Sequence, residues 1–416
     1  MARALSPHLT SAALAQALRE AVRSSGIEQA RDHWNQRLPP AHFPSVDLAV
    51  IAFPRDGAPV WANVLFSREL PQGHVVQIGP EAGPARGVRF DADLRDDELN
   101  SPAWMPGADW QRLRFAPLAG DGPLRFVAPY PASLVKLMVA VGVGRLVDAA
   151  QARWEQPWTH AGRSRTVAQW TESMLVASSN EATDAMVALL HAGGLITRHD
   201  DGSETNGLHV LFRDAALPTL RLAQTRSDGG WRNAQGAGVG QLQMTAWDTV
   251  RLLWLLLPEG VVPAPPWRPP GARPLLSERS RERLWAMLYD QGLHEVLSST
   301  ALAGLPGWQP GLPARLPARW LRPDGSVEVD DVRFPADVRP ANARATASFA
   351  HKTGTTDNYA SDAGWVQGDG PHGRRYLVAM ITSVGRRYAA HPACATDWSL
   401  PRIGKAVDAW LQAAME

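Results

Sequence analysis

The segment Phe126-Val-Ala-Pro-Tyr-Pro-Ala-Ser133-Leu-Val-Lys136 is the stretch from which the fold and the chemistry are predicted. A proline followed by an apolar run predicts that a helix begins near Ser133. Residues three apart share a helix face, so the Lys136 amine can reach the Ser133 hydroxyl. The helix dipole and burial both favour a neutral amine, which is a competent base for a serine nucleophile. The pattern Ser-x-x-Lys thus predicts a nucleophile with its base; an ordinary N-capping serine is the alternative.

The composition makes this lysine unusual. Of the 42 basic side chains only three are lysines, namely Lys136, Lys352 and Lys405. Arginine does not give up its proton in a protein, whereas a desolvated lysine can. A lysine retained in this chain is therefore more often than usual present for its chemistry, and Lys136 and Lys352 lie in the motifs Ser-x-x-Lys and Lys-Thr-Gly.

A second polar pattern interrupts a predicted helix over residues 166–192, where Ser178, Ser179 and Asn180 follow one another. Serine and asparagine compete for backbone hydrogen bonds inside helices, so the run predicts a break that faces a cleft. There Ser178 could relay a proton to a leaving group, and Asn180 could hold a substrate amide. A plain connection between two helices is the alternative.

A third pattern, Lys352-Thr353-Gly354-Thr355, lies on a strand predicted over residues 347–353. Glycine permits close approach of backbone and substrate. The lysine could hold an acidic substrate group or tune the Ser178 hydroxyl. The last threonine N–H, on an edge strand, could join the Ser133 N–H in an oxyanion hole. An ordinary strand end is the alternative for this tripeptide taken alone.

Strand patterns lie at both ends of the chain and helical patterns lie between them. The chain is therefore predicted to be α+β, with one antiparallel sheet built from both ends, flanked by helices, and an inserted all-helical domain. The predicted strands are 46–53, 60–66, 347–353, 360–367 and 376–384, and the last helix is 398–415. The predicted domains are an N-terminal helical extension (1–44), an α/β sandwich (45–130 and 345–416) and a helical domain (131–344) with a Pro-rich insertion at about 262–345.

The order S-x-x-K, S-x-N, K-T-G resembles that of the serine β-lactamase and penicillin-binding protein superfamily, nearest its class A-like branch. The resemblance implies an active site in a cleft between the sandwich and the helical domain. It implies Ser133 as the acylated nucleophile, Lys136 as the base and Ser178 as the proton relay. The substrate contacts that it implies are Asn180, Lys352, Thr353, Gly354 and Thr355.

The chain departs from that family in the loop that clears the acyl-enzyme. Class A β-lactamases carry E-x-x-L-N between the second and third motifs, and no such pattern follows Asn180 here. The matching loop, 226–241, holds Asp228, Trp231, Asn233 and Gln235 but no glutamate. Asp228 is a weak substitute, because an aspartate before Gly-Gly is typical of a turn. Slow clearance of β-lactams is therefore expected.

Composition excludes several other functions. The 42 basic and 41 acidic residues balance, which argues against nucleic-acid binding. The twelve histidines show no H-E-x-x-H and Cys394 is the only cysteine, so neither a metal nor a disulfide is expected. The sequence contains no glycine-rich nucleotide-binding motif, so no cofactor is expected. No apolar window reaches membrane-spanning length, and residues 1–18 lack a signal-like run, which predicts a cytoplasmic protein, or a periplasmic one if the sequence was trimmed.

The resulting expectation is a serine hydrolase that acts through an acyl-enzyme on a small amide, lactam or ester. A D-amino-acid-specific peptidase or penicillin-binding enzyme, and a sensor or binding module that does not turn over, are the alternatives. Arg386-Arg387 could bind a substrate carboxylate, with a solvated strand end as the other interpretation. The exact substrate and the oligomeric state do not follow from the sequence.

Overall fold

The structure is a computed structural model that describes residues 8–92, 108–113, 115–230 and 242–416. Its main feature is a six-stranded sheet with strands from both ends of the chain. These strands are β1 (Val46–Ala52), β2 (Val60–Phe66), β3 (His74–Val75), β15 (Ala347–Thr355), β16 (Ala360–Gly368) and β17 (Arg375–Thr382). Shorter strands are β4 (Val88–Ala92), β5 (Ala116–Ala119), β6 (Leu124–Ala128), β7 (Pro157–His160), β8 (Arg163–Thr166), β9 (Ile196–Arg198), β10 (Glu204–Asn206), β11 (Arg221–Leu222), β12 (Leu242–Gln243), β13 (Val327–Val329) and β14 (Val332–Phe334).

The strand order of the main sheet is β15-β16-β17-β1-β2-β3, and every neighbouring pair is antiparallel. The two ends of the chain meet in the middle of the sheet, where Ala49 of β1 lies opposite Ala379 of β17. The predicted fold class is therefore confirmed. The order also places β15, which carries Lys-Thr-Gly, at one edge of this sheet.

Helices cover both faces of the sheet. They are α1 (Ser11–Arg23), α2 (Lys136–Asp148), α3 (Val167–Val176), α4 (Asn180–Ala192), α5 (Gly207–Asp214), α6 (Ala246–Leu256), α7 (Glu278–Tyr289), α8 (Arg339–Asn342) and α9 (Ser399–Met415). Leu48 and Val50 pack with α1 and α9, whereas Ala49 and Ile51 pack with the helical part of the chain. All seven residues of β1 are buried for this reason, and six of them are apolar; the exception, Asp47, accepts a hydrogen bond from the Asn63 amide.

Two helix predictions need comment. The pattern over 166–192 forms two helices, α3 and α4, and the break falls at the polar run as predicted. The sequence also predicts a helix over residues 277–288 that continues toward Val296, and the continuation is wrong because α7 ends at Tyr289. Beyond it the Gln291 side chain accepts a hydrogen bond from the Leu293 N–H and donates one to the Leu175 carbonyl oxygen. These bonds hold the chain in a turn against α3.

The Pro-rich segment 262–345 forms a unit with its own small apolar cluster. Leu302, Val327 and Phe334 lie in this cluster, and all three are buried. At the other end of the chain, α1 packs on β2 and on α9. The domain division drawn from the sequence stays a prediction. Among the described residues, no helix is both long and apolar enough to cross a membrane.

We predict that the ion pair between Arg374 and Asp408 is critical for stability. Arg374 donates from Nε and Nη2 to the two Asp408 oxygens at 2.6 Å each, and Tyr376 donates to the same carboxylate at 2.8 Å. Asp408→Asn leaves the buried guanidinium without its counter-charge, so the free energy of unfolding should fall by about 3–5 kcal/mol. Urea unfolding at neutral pH measures this change.

The matched control is Asp337→Asn. Asp337 forms a similar bidentate pair with Arg339, but the two side chains are 42% and 55% exposed. Exposed pairs contribute little, so this variant should lose less than about 1 kcal/mol. Equal losses in the two variants would contradict the prediction.

Candidate active site

Ser133 lies in a short 3₁₀ turn, Ala132–Val135, which leads directly into α2. Its side chain caps neither the turn nor the helix, so it is not an ordinary N-cap. Ala132, just before it, has a left-handed φ of 50°, a conformation that costs a non-glycine residue about 1–3 kcal/mol. The Ser361 hydroxyl on β16 holds this turn by donating to the Pro131 carbonyl oxygen at 2.6 Å.

The Lys-Thr-Gly strand runs directly beside this turn. A Cβ atom built on Gly354 would lie 2.6 Å from the Ser133 nitrogen and 2.8 Å from the Leu134 nitrogen. Only glycine permits this approach of the strand to the turn, and the contact of Gly354 with substrate stays a prediction. Thr355 ends β15 and is partly exposed, whereas Thr353 is buried. The pairing of the Ser133 and Thr355 N–H groups as an oxyanion hole stays a prediction.

Ser178 occupies the break between α3 and α4. Its φ of 59° is left-handed, which is uncommon for a residue other than glycine. The next residue, Ser179, is the N-cap of α4, because its hydroxyl accepts a hydrogen bond from the Ala182 N–H. The capping therefore falls to Ser179 and leaves the Ser178 hydroxyl available for other contacts.

Both motif lysines converge on Ser178. The Lys136 amine donates to the Ser178 carbonyl oxygen, to Ser178 Oγ at 3.1 Å and to Asn180 Oδ1 at 3.0 Å. The Lys352 amine donates to the same Oγ at 2.9 Å and to the Thr353 carbonyl oxygen at 2.6 Å. The three motifs, which are far apart in the sequence, thus meet at one hydroxyl group.

One expected contact differs. Among the described residues the Ser133 hydroxyl makes no hydrogen bond, and the Lys136 amine is directed to Ser178 and Asn180 instead. An ammonium group has three donors, and here they are taken up by the three acceptors of the Ser178–Asn180 segment. The spacing of residues within one helix could not predict where the Lys136 amine points, because its acceptors lie at the break between α3 and α4. Catalytic hydrogen bonds often form fully only with substrate bound.

Burial changes the titration of both lysines. Lys136 is 2% exposed and Lys352 is fully buried. Burial lowers the pKa of Lys136 well below its usual value, and the nearby Lys352 charge lowers it further. Burial also lowers the pKa of Lys352 to about 7, although the carboxylates of Asp362 and Glu295 oppose that shift. Both shifts make loss of a proton easier for this pair of amines than for an exposed lysine, because burial and the neighbouring charge penalise the cationic form.

His351 has a structural position. Its Nδ1 lies 2.7 Å from Asp362 Oδ1, both side chains are fully buried, and burial lowers the pKa of the imidazole well below its usual range. Asp362 also accepts a hydrogen bond from the Leu297 N–H at 3.1 Å. The pair is fully buried, so His351 is placed to support the strand rather than to contact a substrate.

Asp228, the sequence candidate for a deacylation base, is poorly suited to that role. Its side chain is 55% exposed and forms an ion pair with Arg226. A hydrogen bond from the Gly230 N–H and the arginine both lower the pKa of its carboxyl. A lower pKa makes a weaker base. Trp231, Asn233 and Gln235 lie outside the described residues.

Asp184 is a candidate that the sequence analysis missed. It lies on α4, one turn after Asn180 and therefore on the same helix face. The carboxylate is partly buried and makes no hydrogen bond with a described residue, and burial raises its pKa despite the opposing charges of His160 and Lys136. The spacing of four residues from Asn180 was the available signal. Loop 226–230 packs against this turn, since a Cβ on Gly229 would meet the Asp184 carbonyl oxygen.

The two adjacent arginines have different surroundings. Arg387 is buried and forms an ion pair with Asp32, which joins the N-terminal segment to the end of the sheet. Arg386 is exposed, and its N–H donates to the Thr356 carbonyl oxygen at 2.9 Å, just beyond the Lys-Thr-Gly strand. Only Arg386 therefore retains the proposed carboxylate role. Within the described ranges, no group of three or more His, Cys, Asp or Glu residues is arranged to hold a metal ion.

Comparison with known proteins finds similarity only at the level of structure. No protein-family model matches the chain, and no curated protein matches it significantly. The solved structure of PBP-A is 15% identical over 99% of this chain and 97% of its own, with a TM-score of 0.46. A β-lactamase from Sphaerobacter thermophilus is 14% identical over 96% of both chains, with a TM-score of 0.47. A class A β-lactamase from Bacteroides cellulosilyticus is 12% identical over 96% of this chain and 98% of its own, with a TM-score of 0.46.

Identity and TM-score are low in all three comparisons. The interpretation of the site therefore rests on its own geometry.

Proposed function

We propose that the protein is a serine hydrolase that forms an acyl-enzyme on Ser133 with an amide, lactam or ester substrate. The observation that carries this proposal is the convergence of two buried lysine amines on the Ser178 hydroxyl. A structural role for these groups would not require burying two amines at one site, because buried charges are costly. A depressed lysine pKa beside a cleft serine is typical of an activated nucleophile.

The proposed acylation proceeds in three proton transfers. The Ser133 oxygen attacks the substrate carbonyl carbon while neutral Lys136 accepts the hydroxyl proton. When the tetrahedral intermediate collapses, the bond to the leaving group breaks and the Ser178 hydroxyl donates a proton to it. Lys136 then returns a proton to Ser178, to which it is hydrogen-bonded, so the enzyme regains its starting protonation. Cationic Lys352 favours the electron-rich state of the Ser178 oxygen during this exchange.

A penicillin-binding enzyme or D-amino-acid-specific peptidase is the second candidate. The exposed, arginine-paired position of Asp228 favours it, because this leaves loop 226–230 without a suitable base for rapid deacylation. A sensor module that is acylated and never deacylated would be the extreme case of this slow deacylation.

The first prediction concerns Ser133. Ser133→Ala removes the attacking oxygen, so covalent labelling by a fluorescent penicillin and by a fluorophosphonate should disappear. Gel fluorescence and intact-protein mass spectrometry measure the label, and circular dichroism checks the fold. Ser348→Ala, on the same strand as Lys352, is the matched control and should label normally. Undiminished labelling of Ser133→Ala would contradict the proposal.

The second prediction is a bell-shaped dependence of the acylation rate on pH. The rate should rise as pH rises through the pKa of Lys136, which burial holds far below its usual value, because the base must be neutral. It should fall above a pH of about 7, where Lys352 loses its charge. Stopped-flow acylation by a chromogenic ester between pH 4 and 10, the usual working range of such assays, records both limbs.

Arginine substitutions assign the two limbs. Lys136→Arg should lower the acylation rate by about 10²-fold or more, since arginine does not deprotonate. Lys352→Arg keeps a cation, so it should retain activity and lose the alkaline limb. Lys405→Arg, at an exposed position on α9, is the matched control and should change neither limb. Normal activity in Lys136→Arg would overturn the assignment of the base.

The third prediction concerns Asp184 as the base that activates water for deacylation. Asp184→Asn should prolong the penicillin adduct on Ser133 by about 10²- to 10⁴-fold, the usual contribution of a general base. The acylation rate should stay within a few-fold of wild type. Mass spectrometry after one equivalent of penicillin follows the formation and the loss of the adduct.

Asp228→Asn is the matched control for this experiment, and its adduct lifetime should equal that of wild type. An adduct that persists in wild type and is unchanged in Asp184→Asn would exclude Asp184 as the base. That result would agree with the slow clearance expected from the missing loop glutamate. A shifted pH profile of acylation in Asp184→Asn would instead show that Asp184 acts through Lys136.

A further inference from the structure

A cavity lies next to the candidate site, between the helical region and the Pro-rich segment. Its volume is about 450 Å³, which is in the range of sites that hold small organic groups. One wall comes from β8 and α3 and includes Arg165 and Val176, and the opposite wall includes Trp320 and Asp330. The cavity reaches Ala177, the residue immediately before Ser178.

Arg165 is the group that points to a ligand. Its guanidinium lies over the ring of Trp170, at 4.9 Å from the ring centroid. Trp170 is fully buried, and its indole N–H donates to the Trp158 carbonyl oxygen at 2.9 Å, which fixes the ring. Among the described residues the Arg165 guanidinium has no hydrogen-bond partner and no ion pair. A stacked guanidinium presents its N–H edge to a planar anion, and a carboxylate matches that edge.

The other charges in the cavity do not provide this partner. Arg319 is already shared by two carboxylates, since its Nη1 lies 2.9 Å from Glu172 and 2.6 Å from Asp290. Asp330 is exposed at the turn between β13 and β14, so solvent screens its charge. Arg165 is only partly exposed. Its charge is therefore the main positive charge on the wall formed by β8 and α3.

We propose that this cavity binds a carboxylate at the far end of the substrate's leaving group, with Arg165 as the specificity-determining residue. The inference rests on the proposed function, in which Ser178 donates a proton to the leaving group. The leaving group must then lie against Ser178, and the cavity begins at the preceding residue. Val176, Ala177 and Trp320 provide an apolar surface for the linker. The preferred substrate is an ester or amide whose leaving group is a hydroxy acid or an amino acid.

The test uses two esters with the same acyl group. In one the leaving group is an ω-hydroxy acid with a free carboxylate several bonds from the ester oxygen, and in the other that carboxylate is a carboxamide. Wild type should favour the carboxylate ester by about 10- to 100-fold in kcat/KM, the usual effect of one charge-assisted hydrogen-bonded contact. Arg165→Gln should abolish this preference and leave the carboxamide ester within about twofold of wild type, because only the carboxylate needs the cation.

Arg163→Gln is the matched control. It lies on the same strand and changes the net charge equally, but its guanidinium is paired with Glu181 at 2.9 Å. It should keep the preference for the carboxylate ester. An equal loss for both esters in Arg165→Gln would overturn the proposal, because Arg165 would then only support the fold. Equal rates for both esters in wild type would also overturn it.

Calorimetry separates this proposal from the function on which it rests. If wild type hydrolyses neither ester and Ser133 is not acylated, the proposed function fails. Binding of the free ω-hydroxy acid to wild type, with loss of binding in Arg165→Gln, would still support the carboxylate site. Absence of binding to wild type would overturn the site as well.

Discussion

The site depends on one physical constraint, which is that two lysine amines are buried against a single serine hydroxyl. Two cations in a poorly solvated site raise each other's free energy, so the neutral form of one of them becomes accessible near neutral pH. Burial and the Lys352 charge act in this direction on Lys136. The amines are tolerated because oxygen atoms surround them, contributed by Ser178, Asn180 and Thr353.

This constraint explains why the three motifs need the whole fold. Lys136 begins α2, Ser178 lies in the break between α3 and α4, and Lys352 lies on the edge strand β15. Behind Lys352, the charges of Asp362 and Glu295 oppose the loss of its proton. Glu295 belongs to the Pro-rich segment. This segment therefore contributes to the electrostatics of the site and also forms one wall of the neighbouring cavity.

Much of the fold could be predicted from the sequence, because local patterns determine it. The strands β1 and β17 are mostly apolar on both faces, and the polar run at Ser178 marks a real helix break. The details of the site could not be predicted in the same way. The direction of the Lys136 amine depends on acceptors more than 40 residues away. The pairing of Asp228 with Arg226 and the stacking of Arg165 on Trp170 depend on where loops and strands fold back.

Burial separates the two lysines of the candidate site from the third lysine of the chain. Lys405, the third lysine, is exposed on α9, where an arginine would serve equally well. Composition alone therefore could not separate the three lysines. Lys136 and Lys352 are set apart because each is buried and each donates to Ser178. Arginine at Lys136 would keep its proton even when buried, so the proposed exchange of protons with Ser178 requires lysine there. At Lys352 only the charge and the reach of the side chain matter, so the two positions place different demands on the same residue type.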